Sequence, residues 1–281
     1  MKKILSLLVV AIAAITLVGC AEEKDFDFEQ GYITVGLEAD YPPFNWFETS
    51  SKSFTHKLEG EGYVAGYDVE IAKIIAKELG LELRIQSVTW DALIPSLNSN
   101  RIDLVIAGMS VTEERKRSIS FTESYYTSTH VVVVKDGGAY SDITDLDGLK
   151  GAKGKGQLGT LYADLVEYVA TNHGSTTQAE ADSVSIIATS ILSGVTDFTI
   201  VEKPVADALM AAHPGRLKIP FENNDNIFNV SSDDVEVSIG LRKIDSVLQS
   251  RINEILKRIT TEQRNDIMAE AVKNQTASNG E

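Results

Sequence analysis

Residues Ile102 to Arg115 constrain the fold more than any other stretch. A mostly apolar run, Ile102 to Ala107, leads through Gly108-Met109-Ser110-Val111-Thr112 into a helical pattern that opens near Glu113. Thr112 has the side chain of an N-cap, and Glu113 and Glu114 in the first turn suit the positive end of a helix. Gly108 lets the backbone approach a bound group closely. Ser110 offers a hydroxyl, and Arg115 a planar fork of donors that matches a carboxylate two-on-two. A strand end, a small turn with free N–H groups and one arginine together form a seat for a small anion. A βα turn with a solvated arginine fits the same residues, so the choice between the two rests on the rest of the chain.

The chain has 281 residues, enough for one or two domains with a sizeable core. Residues 1–20 stand apart. Lys2 and Lys3 make a short basic start, and Ile4 to Val18 is almost wholly apolar, the pattern of a secretory signal. The run falls short of the ~20 apolar residues that a spanning helix needs. It ends Leu17-Val18-Gly19-Cys20, and Cys20 is the only cysteine, so no internal disulfide can form. This junction resembles the lipobox of bacterial lipoproteins, which implies a signal peptide over 1–20, lipidation at Cys20 and attachment to a membrane through the lipid. The formal net charge is −15, and loss of the two N-terminal lysines makes it more negative. So acidic a chain is a poor match for phosphate backbones, and no basic cluster with interleaved aromatics occurs, which argues against nucleic acid as a partner.

Residues 21–30 are acidic and read as a tether. Tyr32 to Leu37 is a β-branched-rich strand, and Glu38 to Phe44, with Pro42-Pro43, a rigid turn at its C-terminal end, where open α/β sheets bind ligands. Trp46 to Val64 is polar and glycine-containing and reads as a surface excursion. Asp68 is expected to cap a helix that Gly80 ends, and Leu81 to Ile85 alternates as a strand should. A short helix follows over Trp90–Leu97 with Asp91 as cap, and Asn100 sits where a left-handed terminator is wanted. Strands are expected over Phe121–Tyr126, Thr129–Lys135, Asp197–Glu202 and Val235–Leu241. Helices are expected over Leu161–Asn172, Ser183–Leu192, from Lys203 with Pro204 early in the first turn, and over Ile244–Ile259. Leu97 to Ala107 weakly echoes Leu192 to Glu202, each a helix end, a turn and a strand with a polar tip. Residues 276–281 read as a tail.

This order of segments resembles the bacterial extracellular solute-binding proteins for polar amino acids, which serve ABC importers. The residues that carry the resemblance are Tyr41-Pro-Pro-Phe44, Gly66-Tyr-Asp-Val69, Trp90-Asp-x-Leu-Ile-Pro95, the run from Ile102 to Arg115, Phe121 to Tyr126, Gly159-Thr160 and Gly240 to Lys243. The resemblance spans about Tyr32 to Lys273. It implies an α/β, two-lobed periplasmic-binding-protein fold of type II with two crossing hinge strands. Lobe one would comprise 31–128 and 233–275, and lobe two 129–232. It also implies a monomeric, lipid-anchored extracytoplasmic receptor that binds a polar L-amino acid and delivers it to an ABC transporter permease.

The same resemblance assigns site roles. Arg115 would pair with the ligand α-carboxylate, helped by Ser110 and the Gly108 backbone. Thr160 matches a second carboxylate donor, with an ordinary N-cap as the plainer role. Glu202 stands where the family usually has an aspartate for the α-ammonium; a solvated glutamate ahead of a helix is the alternative. Tyr41 and Tyr67 match aromatic positions that sandwich the ligand side chain, with core packing as the competing role. Trp90 lines the pocket or is buried for structural reasons. Glu38 matches a position that meets the distal end of the ligand, which favours a cationic or amide side chain. The 46–64 excursion, longer than usual for the family, is expected to border the cleft mouth. The four histidines, at 56, 130, 173 and 213, have no metal-ligand spacing, and neither Gly-x-Ser-x-Gly nor a phosphate-cradling glycine loop occurs, so no metal, cofactor or catalytic residue is expected. Two alternatives are a dehydratase-like enzyme on the same fold, with Glu38 or Glu202 as general acid, and a ligand-sensing receptor domain.

Overall fold

A computed structural model describes residues 25–221 and 226–278. The expected signal peptide over 1–20, the expected lipidation at Cys20 and residues 21–24 of the expected tether lie outside the described residues. In chain order the first half holds β1 (Tyr32–Leu37), β2 (Asp40–Tyr41), β3 (Asn45–Glu48), β4 (His56–Lys57), β5 (Tyr63–Ala65), α1 (Tyr67–Leu79), β6 (Glu82–Ser87), α2 (Leu93–Asn98), β7 (Leu104–Val105), α3 (Glu113–Ser118), β8 (Ser120–Thr127) and β9 (His130–Lys135). The second half holds β10 (Lys153–Gly154), α4 (Leu161–His173), β11 (Thr176–Thr177), α5 (Val184–Leu192), β12 (Phe198–Glu202), α6 (Lys203–Ala212), β13 (Leu217–Lys218), β14 (Glu236–Leu241), α7 (Ser246–Arg258) and α8 (Thr261–Ser278).

Two five-stranded mixed sheets organise these elements, in the orders β6-β1-β7-β14-β8 and β11-β10-β12-β9-β13. In the first, β1 runs parallel to β6 and β7, and the returning β14 is antiparallel to β8. In the second, β10 runs parallel to β11 and β12, and β9 is antiparallel to β12 and β13. Strands covered on both faces need apolar residues throughout, and β12 is buried at every position. Ile33, Val35 and Leu37 of β1 share a core with Ile71, Ile75, Leu248 and Leu256 of the covering helices. Val132, Val134, Val166, Val169, Phe198 and Ile200 form a second cluster in the other lobe. The chain passes between the sheets from β8 to β9 and again before β14. At the crossings Ser128 N–H donates to the Val235 carbonyl at 3.1 Å. This is the two-lobed type II fold with its crossing hinge strands.

Several local expectations need correction. Residues 25–30 are no loose tether: Phe26 is buried, its ring meets Phe28 at 4.9 Å, and the Arg251 guanidinium sits 4.0 Å over Phe28. Two aromatic anchors outweigh the acidic composition. The 46–64 excursion supplies most of β3, β4 and β5, which join β2 in a four-stranded antiparallel sheet, β2-β3-β5-β4, with Trp46, Leu58 and Val64 buried. It packs beside α1 and β6, where Lys73 Nζ donates to the Phe54 carbonyl and the His56 ring meets the Leu83 carbonyl. Asp68 caps nothing. Gly66 is the N-cap of α1, at φ +134°, where a Cβ would lie 2.1 Å from the Phe44 carbonyl oxygen. The 276–281 tail is shortened, because α8 continues to Ser278 with Met268, Ala271 and Gln275 buried at helical spacing.

Candidate ligand-binding site

The C-terminal ends of β1 and β7 in one sheet and of β10 in the other lead into one cavity between the lobes. From lobe one come Glu38, Tyr41, Trp90, Gly108, Ser110 and Arg115; from lobe two come Gln157, Thr160, Leu161 and Tyr162. Ligands bind at this edge of an α/β sheet because the strand-end loops and helix N-termini converge there.

Arg115 is placed by the turn that precedes it. Thr112 caps α3 by accepting from the Arg115 N–H at 3.3 Å. That sets the side chain on the buried face, where its Nη1 donates to the Ser110 carbonyl at 2.8 Å and its Nη2 to the Gly159 carbonyl at 3.2 Å. The guanidinium also lies 5.1 Å from the Trp90 ring. Gly108 adopts φ +62°, and a Cβ there would lie 3.0 Å from the Tyr41 ring. Thr160 caps α4 through the Tyr162 N–H at 3.2 Å and donates to the Gln157 carbonyl at 2.8 Å, so it serves as cap and cavity wall at once.

Glu202, at the tip of β12, is 1% exposed. Tyr41 donates to its Oε2, and the Tyr41 hydroxyl lies 3.0 Å from that of Tyr162. Its Oε1 has no hydrogen-bond partner. Burial pushes the Glu202 carboxyl up; the tyrosine hydroxyls and the Arg115 charge oppose the shift. Burial pushes the Arg115 guanidinium down from its ordinary value. Glu38 is pushed up to about 7, first by burial and then by the Asp40 and Asp91 carboxylates, against the Gln157 amide. Gln157 Nε2 reaches both Glu38 oxygens, at 3.0 and 3.1 Å. A cation beside either acid would restore its ordinary ionisation.

The lobes meet across this site. Besides the Arg115, Tyr41 and Gln157 contacts, Trp90 Nε1 donates to the Gly159 carbonyl at 3.0 Å and Ser185 to Asp40 at 2.7 Å. The structure thus brings Glu38, Tyr41, Trp90, Gly108, Ser110, Arg115 and Thr160 to one cavity, with Glu202 just behind the tyrosines. Tyr67 is a correction: it is fully buried in the lobe-one core, stacked on Tyr125 at 5.8 Å with its hydroxyl donating to the Tyr125 carbonyl. Residues 46–64 are a second correction, since none of them lines the cavity. Gln157 and Tyr162 escaped sequence reasoning. Their signal was position: they flank Gly159-Thr160 at a helix start, whose first turn must face whatever the N-terminus faces. Among the described residues no group of three or more His, Cys, Asp or Glu could hold a metal ion, and no helix is long and apolar enough to cross a membrane.

A cleft between two α/β lobes, with an arginine on one wall and a buried acid behind Tyr162 of the other, is the architecture of a solute receptor. Residues 33–271 match the model of the bacterial extracellular solute-binding proteins, family 3, and the chain belongs to that family. It is 32% identical over 266 residues to the arginine-binding extracellular protein ArtP of Bacillus subtilis, covering 92% of this chain and 93% of ArtP. An ancestral arginine-binding protein bound to arginine is 31% identical with a TM-score of 0.70, covering 85% of this chain and 97% of that one. The substrate-binding protein AbpA of Streptococcus pneumoniae, bound to L-arginine, superposes with a TM-score of 0.75 at 23% identity, covering 88% and 97%, and shares the fold. Family membership makes this an extracellular or periplasmic solute-binding protein.

Proposed function

We propose that this chain is a lipid-anchored extracytoplasmic receptor that binds a cationic L-amino acid, L-arginine foremost, between its lobes and delivers it to an ABC transporter permease. The observation that carries the reading is the opposition of charges across the cleft. Arg115 and the Gly108–Ser110 turn receive the α-carboxylate from lobe one, with Thr160 opposite. Glu202, with its free Oε1, receives the α-ammonium. Tyr41 and Trp90 flank the aliphatic stem, and Glu38, with Asp40 and Asp91 nearby, takes the distal cation. Asp182 joins these carboxylates along the adjoining mouth. The arginine-binding names of the relatives favour the same ligand.

We take the lobe boundaries at 128/129 and 232/233, supported by the membership of the two sheets, and the protein as a monomer anchored through Cys20. Binding without turnover is preferred to dehydratase chemistry because Glu202 is enclosed by tyrosine hydroxyls and Glu38 by an amide, both placed to hold a cation. A thermal-shift screen of the common amino acids tests the reading. Arginine at ~100 times its Kd should stabilise the protein by about 2.7 kcal/mol, the largest shift of the set. A larger shift with acidic or apolar amino acids, or none with any, would reject it.

A further inference from the structure

Behind the cavity wall, outside the binding residues, lies a fully buried carboxylate. Asp68 Oδ1 accepts from the Tyr125 hydroxyl at 2.6 Å, and that hydroxyl accepts from the Gly108 N–H at 3.2 Å. Asp68 Oδ2 accepts from Asn45 Nδ2 at 2.8 Å, and Asn45 Oδ1 accepts from the Ala39 N–H at 2.8 Å. One side chain is therefore connected, through one intermediary on each side, to both lobe-one turns that face the ligand. Each turn is held at a residue of left-handed backbone, Ala39 at φ +60° and Gly108 at φ +62°. For a non-glycine residue that conformation is sterically disfavoured and persists only where the surroundings over-determine it.

We infer that Asp68 is a positioning residue for ligand binding, whose two accepted hydrogen bonds fix the spacing between the Glu38–Tyr41 turn and the Gly108–Ser110 turn. The inference rests on the reading of the cleft as an amino-acid site. It depends on direction as well as on filling space. Both neighbours donate to the ionised Asp68, and in that form it donates to neither; burial pushes its carboxyl up to about 7, so the comparison is made at pH 8. Asparagine at 68 would present an amide NH2 either to Asn45, setting two donors against each other, or to Tyr125, leaving its hydroxyl proton unplaced. Rotating Asn45 in response would turn its own NH2 onto the Ala39 N–H. The conflict therefore reaches one of the two turns whichever way the amide lies. Exchanging the two residues removes it. Asn at 68 would donate to Asp at 45 and accept from Tyr125, while the other oxygen at 45 accepts from Ala39.

The test compares wild type, Asp68→Asn, the exchange Asp68→Asn/Asn45→Asp, and Tyr125→Phe. It reads amide hydrogen exchange at Ala39 and Gly108 in the ligand-free protein, and the Kd for L-arginine by calorimetry. Asp68→Asn should speed exchange at one of the two amides and raise Kd, each by about tenfold, the scale of one lost charge-assisted hydrogen bond. The exchange variant should recover most of both. Tyr125→Phe, the milder change, should speed Gly108 and leave Ala39 alone. Unchanged exchange in Asp68→Asn, an exchange variant as impaired as the single one, or Tyr125→Phe affecting both amides alike would overturn the inference. Should wild type give no heat with L-arginine, the ligand reading falls, and the amide measurements still decide the role of Asp68.

Discussion

In lobe one, α2 turns into β7 through Asp103, whose N–H donates to the Thr34 carbonyl at 2.8 Å while its carboxylate accepts from the Thr34 N–H at 2.9 Å. In lobe two, α5 turns into β12 through Asp197, whose N–H donates to the Lys153 carbonyl and whose carboxylate accepts from the Lys153 N–H, both at 2.8 Å. The same clamp fixes the register of the same unit in each lobe. Beyond it the units part. β7 opens into a turn of donors that ends on a guanidinium, whereas β12 ends on a buried carboxylate. Two similar frames with opposite charges at their tips suit a zwitterion, and the ligand's two ionic ends are what the comparison predicts each lobe will read.

Breaking one tip at a time is the strongest test. Arg115→Ala should raise the Kd for arginine by about a thousandfold or more, and Glu202→Gln by about a hundredfold, because each strands a ligand charge in a buried site at a cost of roughly 2–5 kcal/mol. Calorimetry, with circular dichroism to confirm folding, measures both; affinity surviving Arg115→Ala would contradict the scheme. Next, Glu38→Gln should weaken arginine by about tenfold and leave glutamine unweakened in a competition assay, since it removes the charge that only a cationic side chain uses.

The pH dependence sharpens the contrast between tip and rim. Glu38 is raised from 4.5 to about 7, so without ligand its contribution to stability is fully present below pH 4.5 and is lost as pH rises through 7. A bound cation favours the ionised form and reverses that loss. Arginine should therefore bind about tenfold more weakly at pH 6 than at pH 8, with proton release at the lower pH. The arginine-induced rise in Tm should also be larger at pH 8. Equal affinity across that range would remove Glu38 from the ligand's charge. The smallest effect expected is for Tyr162→Phe. It takes away one of the hydroxyls that oppose the upward shift of Glu202 and should raise Kd only about threefold to tenfold by calorimetry.

What could be read from the sequence was mostly local. Gly80 and Asn100 take the left-handed conformation that their positions in the pattern call for, and Thr112 and Thr160 cap their helices as short-range chemistry requires. The convergence of Glu38, Tyr41, Gly108, Ser110, Arg115 and Thr160 was anticipated through the family resemblance, because periodicity cannot say which loops meet. Reading failed where tertiary contacts outweigh composition. Polar residues 46–64 form a sheet because Trp46, Leu58 and Val64 find a core. The acidic 25–30 segment docks through Phe26 and Phe28. Tyr67 and Asp68, adjacent at the start of α1, both point inward, one into aromatic packing and one into the network behind the cavity. In a sequence string they look like a pocket aromatic and a helix cap.

The most direct measurement is a calorimetric comparison of L-arginine with agmatine, which keeps the guanidinium, stem and amine of arginine and lacks the carboxylate. A clamp on both ionic ends predicts one-to-one binding of arginine and binding of agmatine at least about a thousandfold weaker, the loss of the partner of Arg115. Agmatine binding as tightly as arginine would contradict the account.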